Sequence, residues 1–339
     1  MNTVYVAMPS LYDTELIPTV LNLFEEASDP KNIYVGVSLL DLNDKLANQF
    51  VEATKKYSDN IRFEYIEVND NNYREMLGVG FGRRRVLDLY GGEDYILQTD
   101  SHAMVAKNWD TTLITKFHEA QDFVKNKKVI LTAYAGSYSF TEDGKRTFLQ
   151  TDPHANDYYS RLQFVYFSTG TKYYNVIPRW DILPEYMLDD FSGPFVPALK
   201  FNANFTFSDK EFAHNSGLYD DACFFEEEII QTVNLVKLGY TLVYPVLDDP
   251  VVAHMYTDLW VGDHGFRTSL SDIWPEYQVE MANRCVRQYK EYFATPENKE
   301  ASKEYGKYAR MHPLHGTMYK NPYIPDYFIN SEVKYGRKA

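Results

Sequence analysis

The sequence predicts an α/β fold in which parallel strands alternate with helices, and two observations carry that prediction. Residues 4–99 switch repeatedly between short apolar runs of strand length and longer segments with helical apolar spacing. Such a βαβαβ order implies parallel strands joined by right-handed crossovers, with ligands bound at the C-terminal strand ends. The second observation is chemical. Asp100 and His102 stand two residues apart directly after the apolar strand Tyr95–Thr99, which is such an end.

Val4–Met8 is the first strand, and Thr14–Ala27 the first helix, with Leu16, Ile17, Val20, Leu21, Leu23 and Phe24 at helical spacing. Ile33–Leu40 follows as a strand, Asn43–Tyr57 as a helix, Ile61–Val68 as a strand, Gly82–Tyr90 as a helix and Tyr95–Thr99 as a strand. A helix over Asn108–Phe123 leads to a strand over Lys128–Ala133. Tyr, Phe, Gly and Pro then accumulate, with strands expected at Gln163–Ser168 and Ala203–Phe207 and a turn at Ser192-Gly193-Pro194. A helix over Phe224–Leu238 is stopped by Gly239, and Thr241–Tyr244 is a strand. Past His254 the chain reads as helix and loop ending in Pro- and Tyr-rich coil.

A chain of 339 residues is long enough to bury a large core. It has no basic-then-apolar leader and no run of about 18 apolar residues, which sets the expectation of a cytoplasmic protein without a membrane span. Its 2 cysteines offer neither a disulfide framework nor a zinc-knuckle spacing. The net charge of −14 argues against a broad nucleic-acid surface. Met281–Ala339 departs from that balance, with eleven Lys or Arg against six Asp or Glu, so this region is the one that could meet an anionic partner.

A carboxylate and an imidazole at a strand end can share one divalent cation, although an Asp there also serves as a helix cap. Asp152 and His154 repeat the Asp-X-His pattern, but they follow the polar turn Thr141–Arg146 and flank Pro153, so Asp100 and His102 are preferred. Pro9, Ser10 and Asp13 follow the first strand, where a nucleotide base and ribose rest in such sheets; Ser10 and Asp13 would equally serve as N-caps. Gly78-Val79-Gly80-Phe81-Gly82 feeds Arg83 and Arg84, which can reach a diphosphate with bidentate contacts; the alternative is a solvated face with Arg84 pairing Asp88. Glu226, Glu227 and Glu228 open a helix whose dipole favours them, and one of them facing inward could act as a base or hold a hydroxyl. His254 follows an apolar run and is the candidate to close a metal site with Asp100 and His102.

Taken in order, these segments resemble the cytoplasmic hydroxyproline-type N-acetylglucosaminyltransferase family of GT-A glycosyltransferases. The resemblance runs from Val4–Leu16 through Gly92-Glu93-Asp94-Tyr95, Leu97–His102, Asn108-Trp109-Asp110 and Phe224–Glu228 to His254. The chain departs from the family pattern in having Glu226 where a Gly precedes the paired acids, and Ala103 where a bulkier residue follows the Asp-X-His. The resemblance implies a GT-A type (Rossmann-like) mixed sheet flanked by helices over 1–259, and a C-terminal helical and coil extension over 260–339. It implies Asp100, His102 and His254 as ligands of Mn or Mg, and Glu227, with Glu228 beside it, as the acids that orient hydroxyls.

The implied activity is transfer of a sugar, with retention, from a nucleotide-sugar of the UDP type to a hydroxyl. A protein hydroxyl is the acceptor the family suggests, and the basic C-terminal region leaves a hydroxymethylated DNA base open. From a different class, the 29 Tyr and 21 Phe are compatible with a non-catalytic carbohydrate-binding or scaffold protein. A metal-dependent hydrolase would need more clustered ligands than the sequence supplies.

Overall fold

The computed structural model describes residues 2–148 except 134, the strands at 160–168 and 174–182, and residues 194–198, 201–215, 222, 225–245, 251–255, 273–274, 276–301 and 303. The alternation of the N-terminal half is present: β1 (Val4–Leu11), α1 (Leu16–Glu25), β2 (Ile33–Asp41), α2 (Lys45–Ala53), β3 (Ile61–Glu67), α3 (Val79–Asp88) and β4 (Tyr95–Thr99). The chain continues through β5 (Ala103–Val105), α4 (Trp109–Val124), β6 (Val129–Thr132), β7 (Gly136–Phe140) and β8 (Arg146–Phe148). A hairpin of β9 (Ser160–Ser168) and β10 (Tyr174–Ile182) precedes β11 (Phe195–Pro197), β12 (Phe205–Asp209) and α5 (Lys210–Asn215). Last come α6 (Phe225–Lys237), β13 (Thr241–Pro245), β14 (Val252–His254) and α7 (Tyr277–Ala294).

The main sheet has eight strands in the order β11-β13-β6-β12-β4-β1-β2-β3. β1, β2, β3 and β4 are parallel, as their helical crossovers require. β1 is buried from Val4 to Ser10 and β4 along its whole length, the pattern of strands covered on both faces. β12 is the departure from a parallel sheet: it runs antiparallel between β4 and β6, with Phe205 opposite Thr99. The start of β12 therefore meets the C-terminal end of β4, and Phe201–Asn204 arrive beside that strand end.

β1 extends to Leu11 rather than Met8, because Pro9, Ser10 and Leu11 keep pairing with Ser38, Leu39 and Leu40. The helix expected over 43–57 is α2 followed by a tighter 3-10 segment at Lys55–Asn60. A smaller four-stranded sheet, β5-β14-β7-β8, begins where the chain leaves the C-terminal end of β4. The expected turn residues Ser192 and Gly193, and the second Asp-X-His at Asp152 and His154, lie outside the described residues.

One apolar core joins α1, α3 and α4 to the main sheet, with Trp109, Tyr5, Phe24 and Phe117 among its largest fully buried side chains. A second core forms where the C-terminal helix returns: Leu40, Val68, Tyr73, Met76 and Leu77 pack with Trp274, Tyr277 and Cys285. The Tyr73 and Trp274 rings are stacked with centroids 4.6 Å apart. Trp274 Nε1 donates to Asp70 Oδ1 at 2.7 Å, and Gly78 N donates to the Tyr277 hydroxyl at 3.1 Å, immediately before α3 begins. Among the described residues no helix is long and apolar enough to cross a membrane.

Candidate active site

The site is assembled where the two sheets meet. β4 ends at Thr99, Asp100 to His102 make the corner, and β5 begins the smaller sheet at Ala103. β14 runs antiparallel to β5 with His254 opposite Ala103, and Met255 N donates to His102 O at 3.0 Å. That register carries His254 across 154 residues of chain to Asp100, leaving its Nε2 3.1 Å from Asp100 Oδ2. The His102 and His254 rings lie 4.5 Å apart between centroids. One candidate ligand atom from each of Asp100, His102 and His254 falls within 4.8 Å of the others.

Asp13 fixes how His102 presents itself. Asp13 Oδ2 accepts from Ser101 Oγ at 2.6 Å and lies 2.7 Å from His102 Nδ1. Burial opposes ionisation of Asp13, but the His102 hydrogen bond and charge, with the donors Ser101 and Glu15, outweigh it and hold its carboxyl below the usual range. An ionised Asp13 makes Nδ1 the donor, so Nε2 carries the lone pair. That Nε2 is buried and has no hydrogen-bond partner among the described residues. A carboxylate behind a histidine in this way sets the tautomer and ring orientation of a metal ligand.

Arg83 connects the corner to the acidic helix. Gly82 lies where an added Cβ would meet the Pro9 side chain at 3.0 Å, so α3 sits close against β1 and turns Arg83 inward. Arg83 is buried, its Nη1 donating to Glu227 Oε1 at 2.8 Å and its Nη2 to Asp100 Oδ1 at 3.2 Å. Burial would raise the carboxyl of Asp100, but the His254 hydrogen bond and the Arg83 charge prevail and hold it far below the ordinary carboxylate range.

The remaining expected residues fall at varying distance from this cluster. Pro9 and Ser10 are in β1, and the Ser10 hydroxyl is buried without a partner among the described residues. Arg84 is half exposed and pairs with Asp88 one turn on, at 3.1 Å. Glu227 is 2% exposed, while Glu228 uses Oε1 to accept from Ala203 N at 3.1 Å. Glu226 lies in the first turn of α6, and its side chain lies outside the described residues.

A second charged cluster, which sequence reasoning missed, braces the corner from below. Arg146 of β8 pairs with Glu15, donates to Ala103 O at 3.1 Å and Thr19 Oγ1 at 3.0 Å, and lies 5.1 Å from the centre of the Tyr138 ring. Tyr138 donates to Glu15 Oε2 at 3.0 Å. Arg146 thus ties the smaller sheet to α1 and to the carbonyl one residue past His102. In the sequence it is only the last charge of a polar turn, and no local pattern marks it as buried.

The donor set fits a divalent cation. One carboxylate with two imidazoles, one of them oriented by a buried acid and carrying a nitrogen with no hydrogen-bond partner among the described residues, suits Mn, Zn or another first-row ion.

No curated protein sequence matches the chain. Among solved structures, GalNAc-T7 with UDP, GalNAc and Mn2+ superposes with a TM-score of 0.53 at 14% identity, covering 93% of this chain and 53% of that one. This chain therefore spans about half the length of that protein. S. aureus TarS 1-349 in complex with UDP-GlcNAc matches with a TM-score of 0.46 at 11% identity, over 93% of this chain and 75% of that one. Mannosyltransferase PcManGT from Pyrobaculum calidifontis, in complex with GDP-Man and Mn2+, matches with 0.41 at 12% identity, over 96% and 84%. The fold is the mixed-sheet GT-A type that the resemblance implied. Residues 42–305 match the family described as Glycosyltransferase (GlcNAc), a span that takes in β4, the Asp100 corner, α6 and β14, and the chain belongs to that family.

Proposed function

We propose that this protein is a metal-dependent glycosyltransferase that moves a sugar from a UDP-type nucleotide-sugar to a hydroxyl, with retention. The observation that carries the reading is the convergence of Asp100, His102 and His254 at the C-terminal end of β4. Asp100, His102 and His254 would hold the cation, which when bound supplies positive charge to a leaving diphosphate.

The chain's own residues do the rest. Asp13 keeps Nε2 of His102 available, and Arg146 and Glu15 hold the backbone of that corner. Ser10, whose buried hydroxyl has no partner among the described residues, offers that hydroxyl to the nucleotide. Glu227 is placed by Arg83 to orient hydroxyls of the sugar or acceptor. Titration calorimetry with UDP and Mn2+ tests the reading: metal-dependent UDP binding lost in Asp100→Ala is expected, and binding indifferent to metal would end it.

The acceptor in this proposal is a protein hydroxyl of the hydroxyproline type, supported by the ordered sequence resemblance and by the net charge of −14, which disfavours DNA. Mass spectrometry of products, after offering several nucleotide-sugars with protein and hydroxymethylated-DNA acceptors, decides it. Sugar found on DNA alone would overturn the acceptor and leave the transferase reading intact.

A further inference from the structure

We propose that Arg83 governs the cation affinity of the trio: it keeps Asp100 in place while its charge prevents a bare divalent ion from binding tightly, so that ion and diphosphate enter together. The inference rests on the reading of Asp100, His102 and His254 as a cation site and adds a residue that regulates it.

The geometry is that of a shared carboxylate. Asp100 Oδ1 accepts from Arg83 Nη2 at 3.2 Å, and Oδ2 faces His254 Nε2 at 3.1 Å. The one anionic member of the trio thus has a fixed cation on one oxygen and the candidate ion position on the other. Among the described residues, Arg83 is the only Lys or Arg paired with a member of the trio. It is also buried, with 5% of its side chain exposed, so solvent does little to screen it.

Two cations competing for one carboxylate repel strongly at a few ångströms in such a setting. Glu227 tempers the charge of Arg83 through its 2.8 Å pair. Asp13 adds a negative charge, but behind the far edge of the His102 ring, at Nδ1. A diphosphate brings anionic oxygens into the same space and offsets both cations, which makes ion and nucleotide binding mutually reinforcing. A guanidinium suits this duty because it stays charged at any working pH and spans two carboxylates with one rigid fork.

A merely structural arginine predicts the opposite sign on removal, which gives the test its force. Mn2+ binding to the full chain is measured by calorimetry and by the spin resonance of free Mn2+, with and without UDP. Arg83→Gln is expected to tighten binding of Mn2+ alone by about tenfold or more and to shrink the enhancement by UDP. Arg83→Lys, which keeps the charge, is expected to retain weak binding of Mn2+ alone. Glu227→Gln, which leaves Arg83 less neutralised, is expected to weaken Mn2+ alone while keeping the UDP enhancement. Weaker Mn2+ binding in a folded Arg83→Gln protein would overturn the proposal and make Arg83 a brace. If Arg83→Gln does not fold, Glu227→Gln decides alone, and tighter or unchanged Mn2+ binding overturns it. Failure of the wild-type protein to bind Mn2+ with or without UDP, or binding unchanged in Asp100→Ala, removes the cation reading itself and this inference with it.

Discussion

Asp13 shows how much of a site can rest on the residue that stands behind a candidate metal ligand. Its carboxylate holds Nδ1 of His102, so Asp13→Asn keeps the size of the side chain and removes the charge behind the ring. We expect a loss of about 10–100-fold in Mn2+ affinity, read by calorimetry, with little change in the thermal midpoint; an unchanged affinity would show that His102 needs no such partner. Asp100 and His102 were legible in the sequence because both sit on one short stretch after an apolar strand. The link of His102 to Asp13 was not legible, because it joins positions 89 apart through the crossover of two parallel strands. Arg83 was recognisable as a cation that could approach the site, but its two partners, Asp100 after β4 and Glu227 in α6, lie 17 and 144 positions away.

At the scale of elements, the placement of α3 depends on small residues beneath it. Gly36 of β2 lies where an added Cβ would stand 1.7 Å from the Tyr5 hydroxyl, which donates to Val86 O in α3. Gly36→Ala must push a fully buried ring, and we expect destabilisation of about 1–3 kcal/mol in urea titrations. α3 is also tied to β3, where Arg85 Nε donates to Glu64 Oε2 at 2.8 Å. The hydrogen bond from Arg85 outweighs burial and holds the Glu64 carboxyl below its ordinary value. A depressed folded value means the stabilisation is present above the unfolded carboxylate range, about pH 4–5, and is lost as pH falls through the folded value. Glu64→Gln should therefore narrow the stability difference between neutral and acid pH, and equal acid sensitivity in both proteins would count against the pair. The parallel half of the sheet was legible from periodicity alone. The direction of β12 was not, since alternation carries no sense of direction, and the three-residue strands β5 and β14 are too short to show a period.

For the whole molecule, the return of the C-terminal helix matters most. Trp274 and Tyr277 complete a core with Tyr73, Met76 and Leu77 just ahead of α3, so the segment that opens α7 supports the helix that carries Arg83. Trp274→Ala is expected to cost about 3–5 kcal/mol in urea unfolding, and an unchanged midpoint would show the helix to be docked without energetic linkage. The sequence placed helix after His254 but not its docking partner, because the aromatic residues at both contact surfaces have no local signature of which distant segment they meet.

The register of β14 against β5 also sets the order in which the site comes into being. Asp100 leaves the ribosome 154 residues before His254, an interval of roughly 8–30 s at ordinary translation rates of about 5–20 residues per second. Through that interval Arg83, only 17 residues upstream, is the partner already synthesised for the Asp100 charge. The nascent N-terminal half can thus settle with its acid neutralised, and the trio that would hold a cation is complete only when His254 arrives.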